Sequence, residues 1–187
     1  MNIYWDKINE TISRLRPEAS AMIHQLSTRR SYLKGSYMLR QGEICRYTFY
    51  IDSGIARKFY LHEGKEITTE FYFHGDIAIA LSSYSLKKPS REYIQAITDV
   101  ETELTDQEAL AHAKCIYPEL HEFDVTITEL YAIWLEERLY QYYTQSATDR
   151  YLNLLTAYPK LIQSIPLSYI ATYLGVSLET LSRIRAR

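Results

Sequence analysis

The sequence predicts an α+β fold in three parts. An N-terminal double-stranded β-roll (a jelly roll) with leading helices is expected over residues 1–117, a long helix through which two copies pair over 118–144, and a helix-turn-helix domain over 145–187. Three observations predict this. Short runs rich in β-branched and aromatic residues between positions 31 and 105 are cut by turn glycines at roughly even intervals. Residues 119–143 then contain neither proline nor glycine, as a single long helix requires. The last stretch, 167–187, has the spacing of two short helices crossing at a tight turn.

Taken in order, residues 3–27 read as helical, with Ile12, Leu15, Met22, Ile23 and Leu26 at helical spacing. Strands are predicted at 37–39, 48–51, 55–60 and 67–73, punctuated by Gly42, Gly54, Gly64 and Gly75. Two more, at 93–98 and 100–105, follow a polar stretch at 82–91 that reads as a solvent-exposed loop. In the long helix, Phe123, Ile127, Leu130 and Trp134 step by four, three and four, which makes a seam and the expected dimer interface. Other apolar residues lie off that seam. A helix of about 25 residues spans about 37 Å, too long for a small domain to cover alone, so it should pack on its own roll and on a second copy. Ser146 is a candidate N-cap for a further helix over 146–157, which Pro159 ends.

The C-terminal segment carries the most information. Apolar residues fall at Ile170, Leu174, Val176, Leu181 and Ile184, Ala171 lets the two helices approach, and Gly175 supplies the turn. Ser177 stands where its hydroxyl can cap the second helix. That helix presents Ser177, Leu178, Glu179, Thr180, Ser182, Arg183, Arg185 and Arg187 as its outward residues. A compact helix-turn-helix with an arginine-bearing second helix suits the DNA major groove. A net charge of −2 excludes a protein coated uniformly for nucleic acid, so the contact must come from this local patch.

Cys45 and Cys115 are far apart with no CxxC or Cys/His spacing, which excludes a zinc or iron–sulfur framework and fits a reducing cytoplasm. No apolar run is as long as a membrane span, and Asp6, Lys7, Glu10 and Arg14 interrupt the first twenty residues, so no membrane partner is expected. Eighteen tyrosines are dispersed along the predicted elements, as partly buried packing residues with a wet hydroxyl would be.

The ordered turns Lys34-Gly35, Gln41-Gly42-Glu43, Ser53-Gly54, Gly64-Lys65-Glu66 and Gly75-Asp76 resemble those of the cyclic-nucleotide-binding β-roll in the Crp/Fnr family of bacterial transcription regulators. Residues 146–152 and 170–177 resemble the stretches that lead into and form its DNA-binding domain. The resemblance implies that Arg183 reaches base edges, whereas Arg185 touches phosphate. Leu178 stands where cyclic-AMP-dependent relatives carry Arg. It also implies where an effector would sit. Counted without gaps from Gly75-Asp76, the family's ribose-binding Gly-Glu pair falls on Ile79 and Ala80, and its phosphate-binding Arg on Ser90. None of the three supplies the needed group, and only Arg91 offers a nearby charge. Ile79, Ala80, Leu81, Ser82, Ser83, Ser90 and Arg91 therefore border a pocket for some other effector, or a polar loop with none. The cysteine cluster of the iron–sulfur branch is missing and five scattered histidines show no axial-ligand pattern, so neither cofactor nor metal is expected.

The expectation is a non-enzymatic, homodimeric, sequence-specific regulator of double-stranded DNA with a palindromic operator, unresponsive to cyclic AMP. A small-molecule effector and RNA polymerase are further partners such a protein admits. No nucleophile–base pair, phosphate-cradling glycine loop or metal spacing supports an enzyme. The alternative is a ligand- or protein-binding roll with a reduced helix-turn-helix. The sequence stops at Arg187, directly after the second helix, so phosphate contacts are expected from the helices and not from a wing.

Overall fold

The computed structural model describes residues 5–159 and 161–186. Two helices, α1 (Trp5–Ser13) and α2 (Pro17–Leu26), lead in. Eight strands follow: β1 (Ser27–Tyr32), β2 (Tyr37–Leu39), β3 (Tyr47–Ser53), β4 (Ala56–His62), β5 (Lys65–Tyr72), β6 (Ile77–Ala78), β7 (Tyr93–Ala96) and β8 (Val100–Asp106), with the short helix α3 (Leu81–Leu86) between β6 and β7. The chain continues as α4 (Gln107–Ile116), the 26-residue α5 (Glu119–Thr144), α6 (Ala147–Ala157), α7 (Leu161–Ser164), α8 (Leu167–Leu174) and α9 (Leu178–Arg185).

The strands form two antiparallel four-stranded sheets, ordered β1-β8-β3-β6 and β2-β7-β4-β5, which is the double-stranded roll expected from the turn spacing. Between them lies a core of Met38, Leu39, Phe49, Ile51, Ile94, Val100 and Leu104 with small residues Ala56, Ala78, Ala80 and Ala96. One turn shows why glycine is needed. Gly54 sits at φ +89°, and a Cβ there would lie 2.1 Å from the Asp99 carbonyl oxygen in the neighbouring β7–β8 turn.

Besides the short β6 and α7, which were not expected, three stretches depart from the predicted elements. The helical segment predicted through residue 27 is interrupted between Ser13 and Pro17 and ends at Leu26, because Ser27–Tyr32 pairs along its whole length with β8. This edge strand is polar, held by Arg29 against Glu103 (3.4 Å) and Ser31 donating to Glu101 (2.7 Å) across the ladder. The polar stretch 82–91 is not a loop throughout, since 81–86 is helical and Ser83 is buried. Residues 107–116, for which no helix was predicted, form α4, capped by the Asp106 carboxylate accepting from the Glu108 and Ala109 amides.

A second apolar cluster joins the helical C-terminal part to the roll. Tyr151, Leu154, Ile165, Ile170, Ala171, Leu174 and Leu181 pack with Ile97 and are flanked by Ile55, Phe71 and Phe73 from the roll. Phe71 meets Tyr173 at 5.0 Å between ring centroids, and Phe73 stacks on Tyr158 at 4.6 Å. Helix α8 thus lies directly against β5. No helix among the described residues is long and apolar enough to cross a membrane.

Candidate nucleic-acid interface and effector site

The C-terminal motif is built by local chemistry. Helix α8 ends where Gly175 adopts φ +69°, a left-handed cap that an L side chain would strain. Ser177 then caps α9, its hydroxyl accepting from the Thr180 amide at 3.1 Å. Leu181 is fully buried and Ile184 half-buried against α8, which turns the opposite side of α9 outward. Ser177, Leu178, Glu179, Ser182, Arg183 and Arg185 are exposed, and Thr180 is partly so. Arg187 lies outside the described residues. The outward face is partly organised: Arg183 donates to the Thr180 hydroxyl at 3.2 Å, and the Ser177 hydroxyl holds the Glu179 carboxyl below its usual value.

The roll interior holds a charge cluster for which the sequence reading named no residue. Lys58, on β4, is only 3% exposed, and its Nζ lies 2.5 Å from a Glu70 oxygen on β5. The same ammonium donates to the Ile79 carbonyl and to the Tyr131 hydroxyl, each at 3.3 Å, and lies 3.8 Å from Glu92. Glu70 accepts further bonds from Tyr131 on α5 (2.8 Å) and Tyr72 on β5 (2.7 Å). Burial alone would push the Lys58 ammonium down, but Glu70 and Glu92 outweigh it and hold it above its usual value. Burial pushes the Glu92 carboxyl up despite Lys58. The one signal available in the sequence was a lysine inside a predicted strand, and that alone reads as a residue facing water.

The expected pocket residues divide. Ala80, Ser83 and Ser90 are buried, Ser83 accepting from the Cys45 amide (3.0 Å) and donating to the Lys88 carbonyl (2.6 Å), and Ser90 donating to the Glu92 carbonyl (2.9 Å). Ile79 and Leu81 are half-buried. Only Ser82 and Arg91 open on an adjacent cleft of about 440 Å³, together with Gln41, Tyr60, Leu61 and Glu92.

On α5, Leu130 is buried within its own chain and Phe123, Ile127 and Trp134 are half-buried, with Trp134 stacked on Tyr131 and under Arg138. The exposed apolar side chains are Val125, Ile133, Leu135, Leu139, Tyr140, Tyr142 and Tyr143. The predicted seam thus shares its side of the helix with Tyr131 and Arg138, which bond to the roll, and a second stripe faces away.

Comparison with known proteins agrees with this architecture. Residues 29–112 match the cyclic nucleotide-binding domain family. No curated protein sequence matches the chain. Among solved structures, FixK2 from Bradyrhizobium japonicum superposes with a TM-score of 0.72 at 20% identity, over 86% of this chain and 83% of that one. A protein from Eubacterium rectale described as a transcriptional regulator of the Crp/Fnr family gives 0.67 at 20% identity, over 97% and 83%. The catabolite activator protein of Thermus thermophilus gives 0.57 at 22%, over 94% and 84%. Residues 29–112 thus match a cyclic nucleotide-binding domain family, and the chain has the fold of these solved structures, as the ordered turns anticipated.

The interior pair makes a prediction with a sign. A carboxyl whose folded pKa is raised binds its proton more tightly folded than unfolded, so its contribution to stability is lost as pH rises from the ordinary value of 4.5 through the folded one. Lys58→Met leaves Glu70 buried without its counter-charge and pushes Glu92 higher still. The variant should lose about 3–5 kcal/mol at neutral pH, and the deficit should shrink as pH falls toward 4.5. Urea unfolding of both proteins at a series of pH values measures this, and a deficit independent of pH would refute it.

Proposed function

We propose that the protein is a homodimeric, sequence-specific DNA-binding transcription regulator whose roll does not answer to cyclic AMP. The observation that carries the reading is the outward face of α9. Leu178, Glu179, Ser182, Arg183 and Arg185 are exposed on a helix capped by Ser177 and seated by Leu181. Such a helix can enter a major groove with its arginines aimed at guanine edges and phosphates. Two copies related by a two-fold axis would read a palindrome with half-sites one helical turn apart. Pairing is assigned to the second stripe of α5, because Val125, Leu135, Leu139 and Tyr143 are exposed on the side turned from the roll, with Ala132 among them.

Insensitivity to cyclic AMP rests on two observations. The ribose and phosphate positions read Ile79, Ala80 and Ser90, and the last two are buried. The cation beside them, Lys58, is already committed to Glu70. A phosphate entering there would have to displace a carboxylate that is bonded by two tyrosines as well.

Three measurements test the proposal. On an operator selected from random DNA, Arg183→Ala should cost about 1–3 kcal/mol and relax base preference, while Arg185→Ala should weaken all sequences alike and lower the salt slope by about one. Undiminished binding by both variants would remove the DNA reading. Leu139, 56% exposed, can become Glu without disturbing a monomer, so Leu139→Glu should sediment as a monomer at micromolar concentration. An unchanged dimer would place the interface elsewhere. A ligand at a hundredfold over its dissociation constant stabilises the folded state by about 2.7 kcal/mol. Millimolar cyclic AMP or cyclic GMP should leave the melting temperature unmoved, and a saturable rise would reverse the argument.

A further inference from the structure

We infer that Arg138 and Tyr142, on the long helix, determine which half-site spacing the protein accepts, by clamping the helix-turn-helix to the element that pairs the two copies. The inference rests on the DNA-binding reading above and concerns residues that touch no base or phosphate in it.

The spacing a dimer reads is the distance between its two recognition helices. That distance depends on how each α9 is fixed relative to α5. The covalent link is slight: α5 ends at Gln145, which is extended (φ −105°, ψ 146°), and α6 starts afresh from the Ser146 cap. A domain held by that link alone would swing. One added base pair moves a half-site by about 3.4 Å and about a tenth of a turn around the DNA axis, and a domain free to swing and rotate by that much can follow it to the next spacing.

The second apolar cluster seats α8 on the roll, and side chains of α5 tie it to the pairing helix itself. The last carbonyls of α8 have no partner within their own helix. Tyr142 donates to the Tyr173 carbonyl at 2.5 Å, and Arg138 donates to the same oxygen at 3.2 Å. The Arg138 guanidinium lies 4.0 Å from the centre of the Tyr173 ring and also bonds the Thr69 carbonyl on β5. One side chain on the pairing helix thus ties both the roll and the helix-turn-helix. Arg150, on α6, donates to the Leu174 carbonyl at 3.0 Å and lies over the Tyr142 ring. Gly175 lets the ring sit there, since a Cβ at that position would lie 3.0 Å from a Tyr142 ring carbon. Two positive side chains therefore meet the negative end of α8, the favourable sign. Leu178, the first residue of α9, follows the capped carbonyls of Tyr173 and Leu174 by five and four residues, so a rotation at the clamp is carried directly to the recognition face.

Selection from random DNA followed by competition binding tests the inference. The wild type should enrich one half-site spacing and reject a spacer changed by one base pair by about tenfold or more. Arg138→Met with Tyr142→Phe keeps the packed volume and removes the three donated bonds. It should enrich the same half-site at several spacings, discriminate among them by about twofold at most, and keep the wild-type salt slope, because no phosphate contact is lost. Tyr142→Phe alone, lacking one hydroxyl, carries the test if the double variant does not fold, and should relax spacing partway. Retention of a single spacing by the variants overturns the inference and leaves the DNA reading standing. A wild type that enriches no sequence overturns both.

Discussion

A lysine ammonium that is 3% exposed must keep a carboxylate beside it, and the rest of the molecule is arranged around that requirement. Lys58 and Glu70 stand opposite each other on β4 and β5, so their pairing fixes the register of the two strands just before the ladder shifts between Lys58 and Phe59. The pair leaves lone pairs on Glu70, and Tyr72 and Tyr131 supply the donors. Because Tyr131 belongs to α5, satisfying the buried carboxylate also docks the long helix on the roll. Apolar packing alone would tolerate sliding of that helix. A buried, hydrogen-bonded charge does not.

The same two strands carry the restraint to the other side of the sheet. Arg57, next to Lys58, has no exposed surface and lies with its guanidinium 4.1 Å from the Phe59 ring and 3.4 Å from the Tyr169 ring on α8. It bonds Gln95 at 2.7 Å and pairs with Glu66. The Thr68 amide donates to the Thr172 hydroxyl of α8 at 3.2 Å. Adjacent residues of β4 thus satisfy one charge inside the roll and a second against the helix-turn-helix. Strand β5 lies between two demands, the buried pair within and α8 without, and it cannot move to relieve one without straining the other.

This arrangement explains what the sequence disclosed and what it did not. The caps at Ser177 and Ser146 and the turn at Gly175 depend on residues within four positions of each other, so local chemistry suffices to read them. The stretch Ala56-Arg-Lys-Phe59 is buried throughout, yet two adjacent cations in a strand read as at least one residue in water. Their burial is decided by Glu70 and by Tyr131 and Tyr169, which lie on other elements. Strand β1 escaped notice because an edge strand with four exposed residues has no apolar alternation to show. Helix α5 is apolar on both its roll-facing and outward sides, so periodicity alone does not say which side meets the roll. The step through Leu130 and Trp134 belongs to the side that meets the roll.

The cluster also bears on what a ligand could accomplish in this roll. A cyclic nucleotide can couple a β-roll to a long helix only if its anionic and hydroxyl groups make bonds that neither element makes without it. Here those bonds are already made by side chains: a cation on β4, a carboxylate on β5, and a hydroxyl from α5 between them. On the proposed reading, a ligand placed at that centre would have to exchange these existing bonds for new ones. The cleft beside it, bordered by Arg91, Ser82, Gln41 and Glu92, leaves the pair intact. Of the residues that border it, Glu92 lies 3.8 Å from Lys58, which in turn bonds Tyr131 of α5.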